Sequence, residues 1–110
     1  MEKEDIQKKI GQLQMMEQRL QNFLMQKQNF QGQLLEIENA LAESKDSEEV
    51  YRIFGQIMIK ADKDKLNKEL GDKKDLLDKR ISEIDKQDAK LREEILPLQE
   101  EVMGSVKDEE

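Results

Sequence analysis

Val50-Tyr51-Arg52-Ile53-Phe54-Gly55-Gln56-Ile57-Met58-Ile59-Lys60-Ala61 is the stretch that decides the fold. β-Branched and aromatic residues stand on either side of a Gly-Gln pair, the pattern of a two-residue hairpin with a type II′ turn. In that register Phe54 faces Ile57, Ile53 faces Met58 and Val50 faces Ala61. Side chains alternate across a strand, so Val50, Phe54, Ile57 and Ile59 share one face and Tyr51, Ile53 and Met58 the other. Both faces are apolar. An isolated two-stranded hairpin is marginal in water, and its unpaired edges invite further strands. The hairpin is therefore expected to be covered by other subunits, as part of a multi-chain sheet or barrel.

Working outward, the flanking segments change period from two to seven. Upstream, Ile6, Leu13, Leu20, Lys27, Leu34 and Leu41 recur every seven residues. A companion series, Met16, Phe23, Phe30 and Ile37, runs beside them, widened by Ile10 and Leu24. Nine glutamines lie between Ile6 and Leu41. Downstream, Leu70, Leu77, Ile84, Leu91 and Leu98 repeat at the same interval, beside Lys74, Ile81, Asp88, Ile95 and Val102. Sustained heptads predict a coiled-coil seam. Ala42 to Glu49 is polar and turn-prone, and Asp62 is placed to cap the second helix. Pro97 lacks the amide that the preceding turn needs, so a kink or fraying is expected near Glu93–Pro97.

Two arms of about 36 residues, roughly 54 Å each at the helical rise, fold back on one another around the hairpin. The fold class is mainly α: an antiparallel two-helix coiled coil with a β-hairpin between its arms. Residues 1–110 read as a single domain: an N-terminal arm over 1–43, loop and hairpin over 44–61, a C-terminal arm over 62–104 and a flexible tail over 105–110. Equal arms suggest that position i meets about 107 minus i. Ile6 then meets Val102, Leu41 meets Leu66, Arg19 approaches Asp88 and Glu17 approaches Lys90, polar pairs that would mark register.

Composition narrows the function. Of 110 residues, 41% are charged, 35% hydrophobic and 4% aromatic, which suits long helices better than a compact globule. The net charge of −7 is spread along the chain. With no basic face, the chain is not expected to bind nucleic acid or anionic membrane surfaces. Cysteine and histidine are absent, which removes disulfides, thiolate chemistry, zinc sites and the usual acid–base residue. No apolar run has the roughly 18 residues of a membrane span, and no signal-like segment opens the chain. The expectation is a soluble, cytoplasmic protein without cofactor or metal.

Catalysis has no foothold. Glu93-Glu94 and Glu100-Glu101 read as solvated helix surface rather than paired acid–base groups. Asp62-Lys63-Asp64 lacks the glycine and terminal glutamate of a calcium loop. The apolar residues towards the two termini, Ile6, Ile10, Leu13, Met15, Met16, Leu98, Val102, Met103 and Val106, carry more weight. Ordinary seam packing accounts for several of them. Yet coiled coils fray at their ends, and the methionines add adaptable apolar surface suited to varied partners.

The run from Val50 to Lys60, followed by Asp62-Lys63-Asp64-Lys65 and a leucine-periodic helix, resembles the beta class of prefoldin subunits, in its archaeal form. The glutamine-rich upstream arm with Gln26-Lys27-Gln28 is similar too, and a single hairpin points to the beta rather than the alpha class. The resemblance implies a chaperone hexamer of two alpha-class and four beta-class subunits. The hairpins would build a double β-barrel body, and the coiled-coil tips would hold unfolded proteins and pass them, without ATP, to a group II chaperonin. Carried onto this chain, Val50, Tyr51, Ile53, Phe54, Gly55, Ile57, Met58 and Ile59 are the assembly positions, and the apolar residues near the termini are the client-binding ones. The alternative is a structural coiled-coil adaptor with one defined protein partner.

Overall fold

The computed structural model describes residues 2–109, with side chains through residue 106. Helix α1 (Lys3–Asp46) leads into strands β1 (Val50–Phe54) and β2 (Ile57–Ala61), and helix α2 (Lys63–Glu109) follows. The chain is thus two long helices with an antiparallel hairpin between them, as the change of period predicts.

Each boundary has a local cause. Glu4 and Asp5 lie in the first turn of α1, where carboxylates favour the positive end of the helix dipole. At the other end, the Ser47 hydroxyl donates to the carbonyl of Glu43 at 3.1 Å, satisfying an orphan acceptor of the last turn. Asp62 caps α2: its Oδ1 accepts from the amides of Asp64 at 3.0 Å and Lys65 at 3.3 Å. Such a cap is worth about 1 kcal/mol. Asp62 Oδ1 is thus engaged in capping the helix start.

The hairpin register is Val50↔Ala61, Tyr51↔Lys60, Arg52↔Ile59, Ile53↔Met58 and Phe54↔Ile57. Gly55 has φ of 61°, and among the described residues it alone has a positive φ. Positive φ at the first central position only is the signature of a type II′ turn.

Two compact units are distinguished. One comprises Met1–Lys27 with Glu83–Glu110, the other Gln28–Ser82. In the first, Ile6, Ile84, Leu91, Ile95 and Val102 are buried. Lys9 is ion-paired with Glu101, and Lys27 with Asp85 at 2.6 Å. In the second, Ile37 and Leu77 are buried together with Ser44. There Lys74 meets Glu38 at 3.8 Å, and the Arg80 guanidinium lies 5.9 Å from the Phe30 ring centre. Ser44 Oγ donates to Asn67 Oδ1 at 2.8 Å. In both units the helices are antiparallel and the core is a seam one layer deep.

These pairs correct the expected register. The residue numbers of each cross-helix partnership add to between 110 and 112, not to about 107. The displacement is roughly one helical turn, and the reason is that each helix carries two apolar stripes three or four residues apart. A sum near 107 lays the first stripe of α1 on the companion stripe of α2. A sum of 111 lays like on like: Leu13 with Leu98, Leu20 with Leu91, Lys27 with Ile84, Leu34 with Leu77 and Leu41 with Leu70. The strand partners also add to 111. The expected marker pairs accordingly fall apart: Asp88 accepts from Arg92 on its own helix at 2.8 Å, and Arg19 lies against the Phe23 ring, 5.9 Å away.

Two further differences concern α2. The helix does not fray at Pro97 but continues through it, with Ile95 and Val102 buried on either side of the proline. It also runs past Gly104 to Glu109, where the sequence suggests a flexible tail. Val102, just before that stretch, is buried in the seam, and packing of an apolar residue sustains adjoining helix beyond what local propensity gives.

Candidate functional site

The hairpin is the first candidate surface. Ile53, Phe54, Ile57 and Met58 are each more than half exposed, and Tyr51 and Ile59 nearly so. Cross-strand partners share a face, so the exposed apolar groups occupy both faces, as the alternation predicts. Covering Ile53, Phe54, Ile57 and Met58 is worth on the order of 1–2 kcal/mol apiece, given how much of each faces water. Each strand has one unpaired edge in this two-stranded sheet.

Polar contacts hold the hairpin in place. Arg52 reaches Glu69 on α2 at 3.0 Å, and its guanidinium sits 5.8 Å from the Phe54 ring centre. One side chain thus links strand, turn residue and helix. At the base of the hairpin Glu49 accepts from the Tyr51 hydroxyl at 2.7 Å and from Lys60 Nζ at 3.3 Å. The Tyr51 hydrogen bond, and after it that of Lys60, holds the Glu49 carboxyl below its ordinary value. Lys63 Nζ donates to the Ser47 carbonyl at 2.8 Å, closing the connection between α1 and the strands.

The residues near the termini divide into three groups. Ile6 and Val102 are buried in the seam; Leu13, Met16 and Leu98 are half-buried; Ile10, Met15, Met103 and Val106 are exposed. Periodicity had no means of separating these groups, because which stripe faces the partner helix depends on the register. Four exposed leucines escape the sequence reading as site residues: Leu24, 54% exposed, Leu35 and Leu96, each 59%, and Leu76, 49%. Leu24 stands at the edge of the companion series and the other three lie outside both heptad stripes.

Glu93, Glu94 and Glu100 are exposed, and Glu101 is engaged by Lys9. Among the described residues no cluster of three or more potential metal-ligating side chains exists. No helix among them is long and apolar enough to cross a membrane. What the described residues offer is exposed apolar surface on the hairpin and towards the termini.

Comparison with known proteins is consistent across sequence and structure. The family model described as "Prefoldin subunit" matches residues 7–109. The chain is similar to the prefoldin subunit beta of Thermococcus onnurineus, 32% identical over 105 residues that span 93% of this chain and 90% of that one. It is similar to its counterpart in Pyrococcus abyssi at 30% identity with the same coverage. Among solved structures, the prefoldin beta subunit from Thermococcus strain KS-1 superposes with a TM-score of 0.80 at 33% identity, over 92% of this chain and 91% of that one.

Proposed function

This chain belongs to the family of prefoldin subunits, and on that footing we propose that it is the beta-class component of an ATP-independent holding chaperone. As a single prefoldin-like domain over residues 1–110, it joins two alpha-class and three further beta-class subunits through its hairpin. It holds unfolded proteins on apolar residues near its termini and passes them to a group II chaperonin in the cytoplasm. Val50, Tyr51, Ile53, Phe54, Gly55, Ile57, Met58 and Ile59 form the assembly surface. Of the terminal set, Ile10, Met15, Met103 and Val106 are exposed and available to a client, whereas Ile6 and Val102 contribute by holding the seam closed.

The observation that carries this reading is the apolar hairpin with both faces in water. A chain that has spent its helical stripes on each other has nothing left to cover those strands. Other subunits supply the cover, and the helix ends stay free for clients.

The test begins with assembly. Ile53→Lys with Met58→Lys should abolish co-elution with an alpha-class partner in gel filtration while leaving helix content unchanged. The assembled wild-type complex is then mixed with two unrelated denatured proteins, and light scattering is followed without ATP. Suppression of scattering for both is the expected result. If neither is suppressed, the holding function is wrong and a structural adaptor with one defined partner replaces it.

A further inference from the structure

The unit Gln28–Ser82 carries the hairpin together with the root of the coil. Two leucines of that root face water: Leu35 on α1 is 59% exposed and Leu76 on α2 49%. They stand at the same height, because their numbers add to 111, as do those of Ser44 with Asn67 and of the strand partners. Each is one residue away from the seam pair Leu34 and Leu77. A step of one residue turns a side chain by about 100° around its helix. On antiparallel helices that face each other, the steps from 34 to 35 and from 77 to 76 turn the same way in space. Leu35 and Leu76 therefore point to opposite sides of the coil, and neither can cover the other within one chain.

The two settings are complementary in charge. One turn to either side of Leu35 lie Gln31, Gly32, Glu38 and Asn39, the helical neighbours of its side chain. The single charge among them, Glu38, is held by Lys74 of the same chain at 3.8 Å. A Cβ added to Gly32 would meet nothing within 4 Å, which leaves a shallow notch beside Leu35. Asp78, one step from Leu77 in the direction away from Leu76, shares the side of Leu35, and Glu36 borders it. Both carboxylates are exposed and make no ion pair among the described residues. Around Leu76 the same spacing places Asp72, Lys73, Lys79 and Arg80, three cations to one carboxylate. None of the four is ion-paired among the described residues, and Arg80 lies against the Phe30 ring.

From these opposed sides we infer that neighbouring copies of this chain pack side by side at the coil root, the Leu35 side of one against the Leu76 side of the next, with their arms pointing the same way. The inference rests on the hairpin-mediated assembly proposed above and extends that interface from the strands onto the helices. Leu35 lies about 16 Å from the hairpin end of α1 and Leu76 about 20 Å from that of α2 at the helical rise. A second copy is the occupant because this chain carries both halves of the contact at matching height. When two hairpins are level, the leucines meet without any slide of one coil along the other. Lys73 of one copy then comes within about 3 Å, along the axis, of Glu36 of the next. The contact is heterologous, so a copy flanked on both sides uses both of its leucines. One leucine from each copy inside a charged rim buries far less than the roughly 800 Å² per partner of a stable complex. It reinforces hairpin pairing and does not hold two chains together alone.

The test exploits the absence of cysteine from the chain. Leu35→Cys chains and Leu76→Cys chains, one of them lengthened by a tag, are mixed, assembled with a cysteine-free alpha-class partner and treated with a short bismaleimide. Both positions are exposed, so the substitutions leave the fold intact. A covalent dimer of one tagged and one untagged chain is expected, with little dimer from either variant assembled alone. Lys73→Glu in both chains should lower the yield about threefold, the size of an exposed ion pair, and Glu36→Lys added to it should restore the yield. Equal dimer from Leu35→Cys alone overturns the pairing of unlike sides, and a yield unmoved by Lys73→Glu overturns the charge pairing. No covalent dimer in a mixture that co-elutes with the alpha-class partner overturns the contact and leaves the assembly standing. An unsubstituted chain that fails to co-elute with that partner removes both.

Discussion

The hydrogen bond between Ser44 and Asn67 provides the sharpest energetic test. Ser44 is 5% exposed and donates to Asn67 Oδ1 at 2.8 Å, forming a polar layer at the hairpin end of the seam. Asn67 is only half-buried, so water can reach its amide when the hydroxyl is removed. A net hydrogen bond is worth about 0.5–1.5 kcal/mol, and solvent access places the loss at about 1 kcal/mol. Ser44→Ala regains roughly 0.5 kcal/mol of helix propensity, so the single substitution should destabilise by only about 0.5 kcal/mol. Asn67→Ala should cost still less, because the Ser44 hydroxyl can turn to the carbonyl four residues back on its own helix. Propensity terms cancel in the double-mutant cycle, which isolates a coupling energy of about 0.5–1 kcal/mol. The assay is urea unfolding followed by helical circular dichroism at fixed protein concentration, with midpoints compared only where the slope is unchanged. A coupling energy below about 0.3 kcal/mol, which is the ordinary scatter of independent sites, would refute the view that this pair stabilises the register.

Leu91, the most buried side chain of the seam at 3% exposure, should lose about 2–3 kcal/mol on Leu91→Ala. Leu96→Ala should stay within about 0.5 kcal/mol, since that residue gives up little burial; the same urea series measures both. At Gly55 the φ of 61° makes Gly55→Ala cost about 1–2 kcal/mol of backbone strain. An added Cβ meets nothing within 4 Å, so the cost is conformational and should appear as faster amide exchange across β1 and β2. For Glu49, whose carboxyl is held below its ordinary 4.5, the sign is that of a lowered acid. Its favourable contribution is complete above the unfolded value and fades as pH falls through the folded one. Tyr51→Phe should move the Glu49 carboxyl titration, followed by carbon-13 NMR, back upwards, and an unmoved titration would show that the Tyr51 hydroxyl does not hold it.

The sequence by itself determined everything that depends on short-range periodicity. Alternation with period two around Gly55-Gln56 sets the strands, the turn type and the faces of the hairpin, because a one-residue slip would exchange every side chain between faces. Heptads set the two helices, and Asp62 announces the start of the second. Tertiary structure decided what periodicity leaves degenerate. Two apolar stripes one turn apart can be matched in more than one way. The Ser44–Asn67 layer and the placement of leucine on leucine belong to the sum near 111, not to the one near 107. That choice also sorts the terminal residues, burying Ile6 and Val102 while leaving Ile10, Met103 and Val106 in water. Leu35 and Leu76 take opposite sides only once the second helix is in place, because the sides of a coil belong to neither sequence segment alone.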